Sequence, residues 1–161
     1  MAEWNEKEQS RLQKICNIGH ILLVIGIILI SALIVIGAIM IGYLSIDGGE
    51  GIKIGDIVIG LVCSVLLVIT LIILDKIVKG ISIGESPFTY QNADRLRLIA
   101  IISLITFILS VILRAIFVIT MDEGSMTDVS LDSLITAAVI YVVSLIFRYG
   151  AQLQIQSDET V

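Results

Sequence analysis

The sequence predicts an all-α polytopic membrane protein: an antiparallel bundle of four transmembrane helices, preceded by an N-terminal amphipathic helix. Hydrophobic residues make up 57% of the 161-residue chain, and the mean hydropathy is +1.06. Charged residues account for only 16% of the chain, against about 25% in a typical soluble domain. The apolar residues are also gathered into long runs, which as helices in water would have no polar face to expose.

Four of these runs are long enough to cross a bilayer, whose hydrocarbon layer needs about 20 apolar residues of helix. The predicted spans are 21–44, 57–74, 98–120 and 131–147, and the fourth is the least hydrophobic. Away from the span ends, the only charged residue in them is Arg114. Because the loops after the first and third spans are short, we expect neighbouring spans to pack antiparallel.

The positions of Lys and Arg predict the orientation. Eight of the ten lie in the N-terminal segment, in the loop between the second and third spans, or in the C-terminal tail; one, Lys53, lies in the first outer loop. The second outer loop, 121–132, carries acidic residues and no basic one. Because cytoplasmic loops are enriched in Lys and Arg, both termini and the middle loop are predicted to be cytoplasmic.

The segment 1–20 is predicted to form a short amphipathic helix at the cytoplasmic interface. Trp4, Leu12 and Ile15 can lie on lipid while polar residues such as Lys14 face water. Trp is typical of the membrane–water interface, so Trp4 is expected to anchor this helix.

The middle loop, 75–97, is predicted to be ordered rather than a slack linker. Pro87 ends one segment and restricts the residue before it to an extended conformation. Thr89 can then N-cap a helical turn that leads directly into the third span. On that turn Asn92 and Arg95 are spaced to share one face.

The basic residues of this loop and of the tail, 148–161, have two interpretations. They can serve only topology and attraction to anionic lipid, or they can form a docking surface for a cytoplasmic partner. Phe147 and Tyr149, near the inner boundary, are placed to pack against the loop. The candidate partner-binding residues are Pro87, Phe88, Asn92, Arg95, Arg97, Arg148 and Tyr149.

Arg114 is the intramembrane charge that needs an explanation. It lies six residues before Thr120, and so about 9 Å from the outer end of its span. Its long side chain can snorkel to the interface or pair with Asp122, Asp128 or Asp132. The alternative is a role linked to a ligand or an ion.

The pattern G-x-x-P-F-x-x-x-N-x-x-R-L-R at 84–97, directly before a span, resembles the DUF2975 family of small bacterial four-span membrane proteins. The end of the chain agrees, with an aromatic-Gly stretch at 147–154 and a short acidic tail. Gln152 departs from the family pattern, which often has an acidic residue there. The resemblance implies a multi-pass protein of the bacterial cytoplasmic membrane with no assigned activity. It also implies a small cytoplasmic helix-turn-helix regulator as a partner.

No motif of catalytic chemistry occurs in the sequence. There is no phosphate-binding glycine loop, no HExxH, no nucleophile elbow and no pair of intramembrane carboxylates. His20, the only histidine, has no partner at ligand spacing and is interpreted as an interfacial residue, and Cys16 and Cys63 are expected to stay unbridged. We therefore predict no catalytic residue, no metal, no cofactor and no direct binding of nucleic acid.

The leading functional hypothesis is a non-enzymatic sensor or regulator in the lipid bilayer, which engages a partner through its cytoplasmic loop and tail. One alternative is an immunity-type protein whose acidic outer loop attracts a cationic membrane-active peptide. Another is a small transporter that works as a homo-oligomer, with Arg114 as its anion-facing charge.

Overall fold

The computed structural model describes residues 2–47, 54–121 and 131–159, and nearly all of them are helical. The helices are α1 (Ala2–Asp47), α2 (Ile54–Ser82), α3 (Tyr90–Met121) and α4 (Asp132–Asp158). No strand occurs in the described ranges. All four helices are long and apolar enough to cross a membrane. The predicted all-α class with four membrane-spanning helices is confirmed.

The contacts between α1 and α2 establish an antiparallel pair. Near the end of α1, the position that a Cβ on Gly37 would occupy lies 2.9 Å from Leu61, early in α2. Near the middle of α1, the same position on Gly19 lies 3.6 Å from Val78, late in α2. Contacts that move forward along one helix while moving back along the other require antiparallel axes. Both glycines allow the two backbones to approach closely, as small residues do between membrane helices.

The core lies in the halves of α2, α3 and α4 that adjoin the loop between α2 and α3. Its buried centre consists of Ile77 from α2 with Leu96 and Ile99 from α3. Partly buried Val143 and Phe147 from α4 pack against it. At the other end of the α2–α3 pair, the Phe117 ring lies 2.9 Å from the Cβ position of Gly55, so these helices are also antiparallel.

The helices follow one another in a row, with α1 at one end. The backbones of α1 and α2, of α2 and α3, and of α3 and α4 lie in contact, and in the described ranges no other pair does. No residue of the most hydrophobic stretch of α1 is buried by the protein. In a bilayer the apolar faces of α1 are therefore covered mainly by lipid.

The predicted separate amphipathic helix at 1–20 is not supported. α1 runs without a break from Ala2 to Asp47, so its first turns extend the first span into the aqueous interface. The physical reason is that nothing in this stretch breaks a helix: there is no proline, and Gly19 sits against Val78. Leu12 and Ile15 are exposed, as a lipid-facing role requires; the side chain of Trp4 lies outside the described residues.

The helices also extend well past the predicted spans at the inner side. α2 continues to Ser82, α3 begins at Tyr90 and α4 continues to Asp158. The loop predicted at 75–97 is therefore reduced to 83–89, and most of the tail predicted at 148–161 is helical. Hydropathy marks the depth of the lipid and not the end of a helix, which continues through polar residues until a breaker intervenes.

Candidate functional site: the loop between the second and third helices

The loop 83–89, named the inner loop because the sequence predicts it to be cytoplasmic, begins where α2 ends in a Schellman motif. The Glu85 N–H donates to the Gly80 carbonyl and the Gly84 N–H donates to the Ile81 carbonyl, both at 3.1 Å. Gly84 has a φ of +96°, in the left-handed region that this motif requires and that glycine adopts without strain. A glycine at this position thus fixes where α2 stops and turns the chain towards α3.

The other end of the inner loop is fixed by the N-cap of α3. The Asn92 N–H donates to Thr89 Oγ1 at 3.1 Å, and the Ala93 N–H donates to the Thr89 carbonyl at 3.0 Å. The sequence prediction of Thr89 as an N-cap is confirmed. The hydroxyl satisfies one of the N–H groups that the first turn of a helix leaves unpaired.

Asn92 is a buried residue of α3 that hydrogen-bonds to the inner loop. It is only 2% exposed, and its Nδ2 donates to the Pro87 carbonyl at 3.2 Å while its Oδ1 accepts from Arg95 Nη1 at 3.1 Å. The expectation that Asn92 and Arg95 share a face is confirmed. A buried amide costs free energy unless it is hydrogen-bonded, so Pro87, Asn92 and Arg95 are primarily structural.

Phe88 attaches the inner loop to α4. Its ring and that of Phe147 have centroids 5.1 Å apart at an interplanar angle of 50°, a tilted geometry that aromatic pairs favour. Phe88 Cδ1 also lies 2.7 Å from the Cβ position of Gly150, so a larger residue there would collide with the ring. Further along α4, Ser86 Oγ donates to Gln154 Oε1 at 2.9 Å. Phe147 packs against the loop as predicted, whereas Tyr149 is 62% exposed.

The inner loop also touches α1. The Gln13 side chain lies 3.2 Å from the Cβ position of Gly84. The loop therefore contacts α1 through Gly84, α3 through Asn92, and α4 through Phe88 and Ser86.

A basic crevice opens beside the inner loop, between α3 and α4. Arg97 and Arg148, which are far apart in the sequence, line one cavity of about 150 Å³ together with Asp94 and Tyr141. Both arginines are exposed. Of the predicted partner-binding residues, the structure thus presents Arg97, Arg148, Phe88 and Tyr149 at the surface of this side.

Arg114 pairs with Asp56 near the end of α2 and α3 that lies away from the inner loop. Its Nη1 lies 3.5 Å from Asp56 Oδ1, and the two side chains are 17% and 46% exposed. Asp56 is not among the partners that the sequence predicts for Arg114, because the pairing depends on the register between α2 and α3. The proposed partners Asp122 and Asp128 lie outside the described residues.

A second polar contact across helices was missed entirely. His20 Nδ1 lies 2.5 Å from Asp75 Oδ1, and both side chains are mostly buried, at 25% and 18% exposure. Once α1 and α2 are known to be antiparallel, their spacing along the two helices places these residues side by side. Among the described residues there is no group of three or more potential ligands that could hold a metal ion.

No family model matches this chain, and no curated protein or solved structure matches it significantly. The resemblance to the DUF2975 family therefore stays a prediction from the two motifs, 84–97 and 147–154.

Proposed function

We propose that this membrane protein is a non-enzymatic regulator whose inner loop and adjoining basic crevice dock a cytoplasmic partner. The observation that carries the proposal is that the inner loop is held by α1, α3 and α4 at once. A change in how these helices pack within the membrane would move the loop and alter what it presents. Such coupling is what a sensor needs.

The exposed groups define the chemistry of the partner. Arg97 and Arg148 supply two positive charges in one crevice against one negative charge from Asp94, and Phe88 and Tyr149 add exposed aromatic surface at 38% and 62%. Arg and aromatic residues are enriched in protein–protein interfaces. An acidic segment with one or two apolar side chains complements this surface. The family resemblance suggests a small helix-turn-helix regulator as the protein that carries it.

The structure gives less support to the two alternatives. Arg114 as the anion-facing charge of a transporter has a competing explanation, since Asp56 lies 3.5 Å away and offsets its charge. The acidic outer loop on which the immunity-type hypothesis depends lies almost entirely outside the described residues, so its geometry does not enter this comparison. The inner-loop proposal is the one that the contacts of the described residues support.

The test compares partner capture by matched variants. The tagged protein is captured from native membranes, and bound proteins are identified by mass spectrometry. Arg97→Ala combined with Arg148→Ala is expected to lose a soluble partner that the wild type retains. Lys76→Ala combined with Lys79→Ala removes the same charge from exposed positions on α2, and is expected to retain it.

Two outcomes contradict the proposal. Loss of the partner in both double variants would mean that general positive charge near the membrane, and not the crevice, is responsible. Recovery of the same proteins with all variants would mean that the crevice docks nothing.

A further inference from the structure

A cavity lined by both hydroxyl-bearing and apolar side chains lies among α2, α3 and α4, within the part of the bundle that is apolar enough to cross the membrane. Its volume is about 350 Å³, in the range of small-molecule sites, roughly 300–1,000 Å³. Hydroxyl groups from all three helices line it, among them Thr70, Ser103 and Thr136, and apolar walls come from Leu67 and Ile140. Hydroxyls in an apolar bundle need hydrogen-bond partners, which makes their convergence on one space informative.

Three of the hydroxyls that line this cavity offer it acceptors rather than donors. Ser64, Thr70 and Thr106 each donate to the carbonyl four residues earlier in their own helix, at 2.7, 3.0 and 2.8 Å. A hydroxyl has one proton to donate and two lone pairs that can accept. With the proton engaged within the helix, the lone pairs remain for a ligand.

The outer end of the cavity has negative charge. Asp132 lines it, and Asp56, in the first turn of α2, is paired with Arg114 at 3.5 Å. These three residues together carry one net negative charge. The segment 121–132 contains four acidic residues and no Lys or Arg, and the other segment on this side, 48–53, contains Glu50 and Lys53, so a cation approaching from this side meets an excess of acidic groups.

We propose that the cavity binds a small organic cation, a primary alkylammonium in its simplest form, from the outer side of the membrane. An ammonium group has three donors and no acceptor, which complements hydroxyl oxygens and a carboxylate. Its alkyl chain fits against Leu67 and Ile140. This goes beyond the function proposed above, since it requires no partner at the inner loop.

Cys63 lines the cavity and serves as a native reporter. Cys16→Ser leaves it as the only thiol in the chain. The reconstituted protein is treated from the outer side with trimethylammonium-ethyl and sulfonatoethyl methanethiosulfonate, and labelling is followed by intact mass. Each rate is normalised to the rate of the same reagent with a free thiol. The cationic reagent is then expected to react at least about fivefold faster than the anionic one, because one net negative charge a few Å away has about this effect in a water-like medium. Butylammonium chloride should slow labelling, while sodium butyrate and butanol should not.

Matched valine variants connect the protection to the hydroxyls. Thr106→Val with Thr136→Val keeps the shape of the cavity but removes two acceptors, and should abolish protection by butylammonium. Thr136→Val alone, at an exposed position, should weaken it and serves if the double variant is unstable. Thr120→Val is the control, because its hydroxyl also bonds within its own helix, at 2.7 Å, but does not line the cavity.

The proposal is overturned if the two reagents label Cys63 at equal normalised rates. It is also overturned if neither reagent labels Cys63, which would mean that lipid or packed side chains fill the cavity. It is also overturned if butylammonium does not protect, if butyrate or butanol protects equally, or if protection survives in the Thr106/Thr136 double variant.

Discussion

Replacing Gly150 by alanine would place a methyl group where the Phe88 ring now lies. The Cβ position is 2.7 Å from Phe88 Cδ1 and 3.1 Å from Cγ, so the ring must move or the helix must shift. Overpacking of this kind costs about 1–3 kcal/mol. Alanine also favours the helix over glycine by about 1 kcal/mol. Gly150→Ala is therefore expected to lower the free energy of unfolding by up to about 2 kcal/mol.

The sign of this effect should reverse when the ring is removed. Phe88→Ala removes the two closest ring atoms and leaves the Cβ of residue 88 at 3.4 Å, an ordinary van der Waals contact, so in this background Gly150→Ala should stabilise by up to about 1 kcal/mol. The free energy of unfolding is measured in mixed micelles by titration with a denaturing detergent, with helical circular dichroism as the signal. Gly26→Ala is the control, since nothing lies within 4 Å of its Cβ position. If Gly150→Ala has the same effect in both backgrounds, the inner loop does not rest on α4 as described.

Three further substitutions test the polar contacts. Arg114→Gln should destabilise the protein by no more than about 1 kcal/mol, because its partner Asp56 is nearly half exposed. In a double-mutant cycle measured by thermal unfolding in detergent, its effect should be non-additive with that of Asp56→Asn. His20→Ala should cost about 1 kcal/mol through loss of the hydrogen bond to Asp75, and additivity with Asp75→Ala would contradict that contact. Asn92→Ala should lower the free energy of unfolding by about 2–3 kcal/mol because it removes two buried hydrogen bonds. It should also speed amide hydrogen exchange at 83–89. Unchanged exchange there would show that Asn92 does not stabilise the inner loop.

The number and class of the helices follow from the sequence because lipid imposes a length and a composition on any segment that crosses it. The N-cap at Thr89 was also predictable, since Pro87 and Thr89 act locally. The true ends of α2 and α4 were not. Hydropathy predicts that a span ends where its apolar residues stop. Instead α2 ends in the Schellman motif of Gly84, and α4 continues through polar residues to Asp158.

The candidate site was predictable as a segment but not as an arrangement. The 84–97 motif contains most of the ordered loop and the first turns of α3, yet it groups Arg95 with Arg97. Arg95 is engaged by Asn92 within its own helix turn, whereas Arg97 meets Arg148 across two helices. The His20–Asp75 and Arg114–Asp56 contacts depend in the same way on helix register. A single sequence carries no direct signal for register when the helix faces are uniformly apolar.

Partner docking in the cytoplasm requires first that the inner loop lie on the cytoplasmic side. Gln91, an exposed residue in the first turn of α3, is replaced by Cys in a background without Cys16 and Cys63. Leu131→Cys, exposed before α4, marks the opposite side. Cells expressing each variant are treated with a membrane-impermeant maleimide before and after permeabilisation. We predict that Leu131→Cys reacts in intact cells and that Gln91→Cys reacts only after permeabilisation; labelling of Gln91→Cys in intact cells would place the inner loop outside and contradict the proposed function.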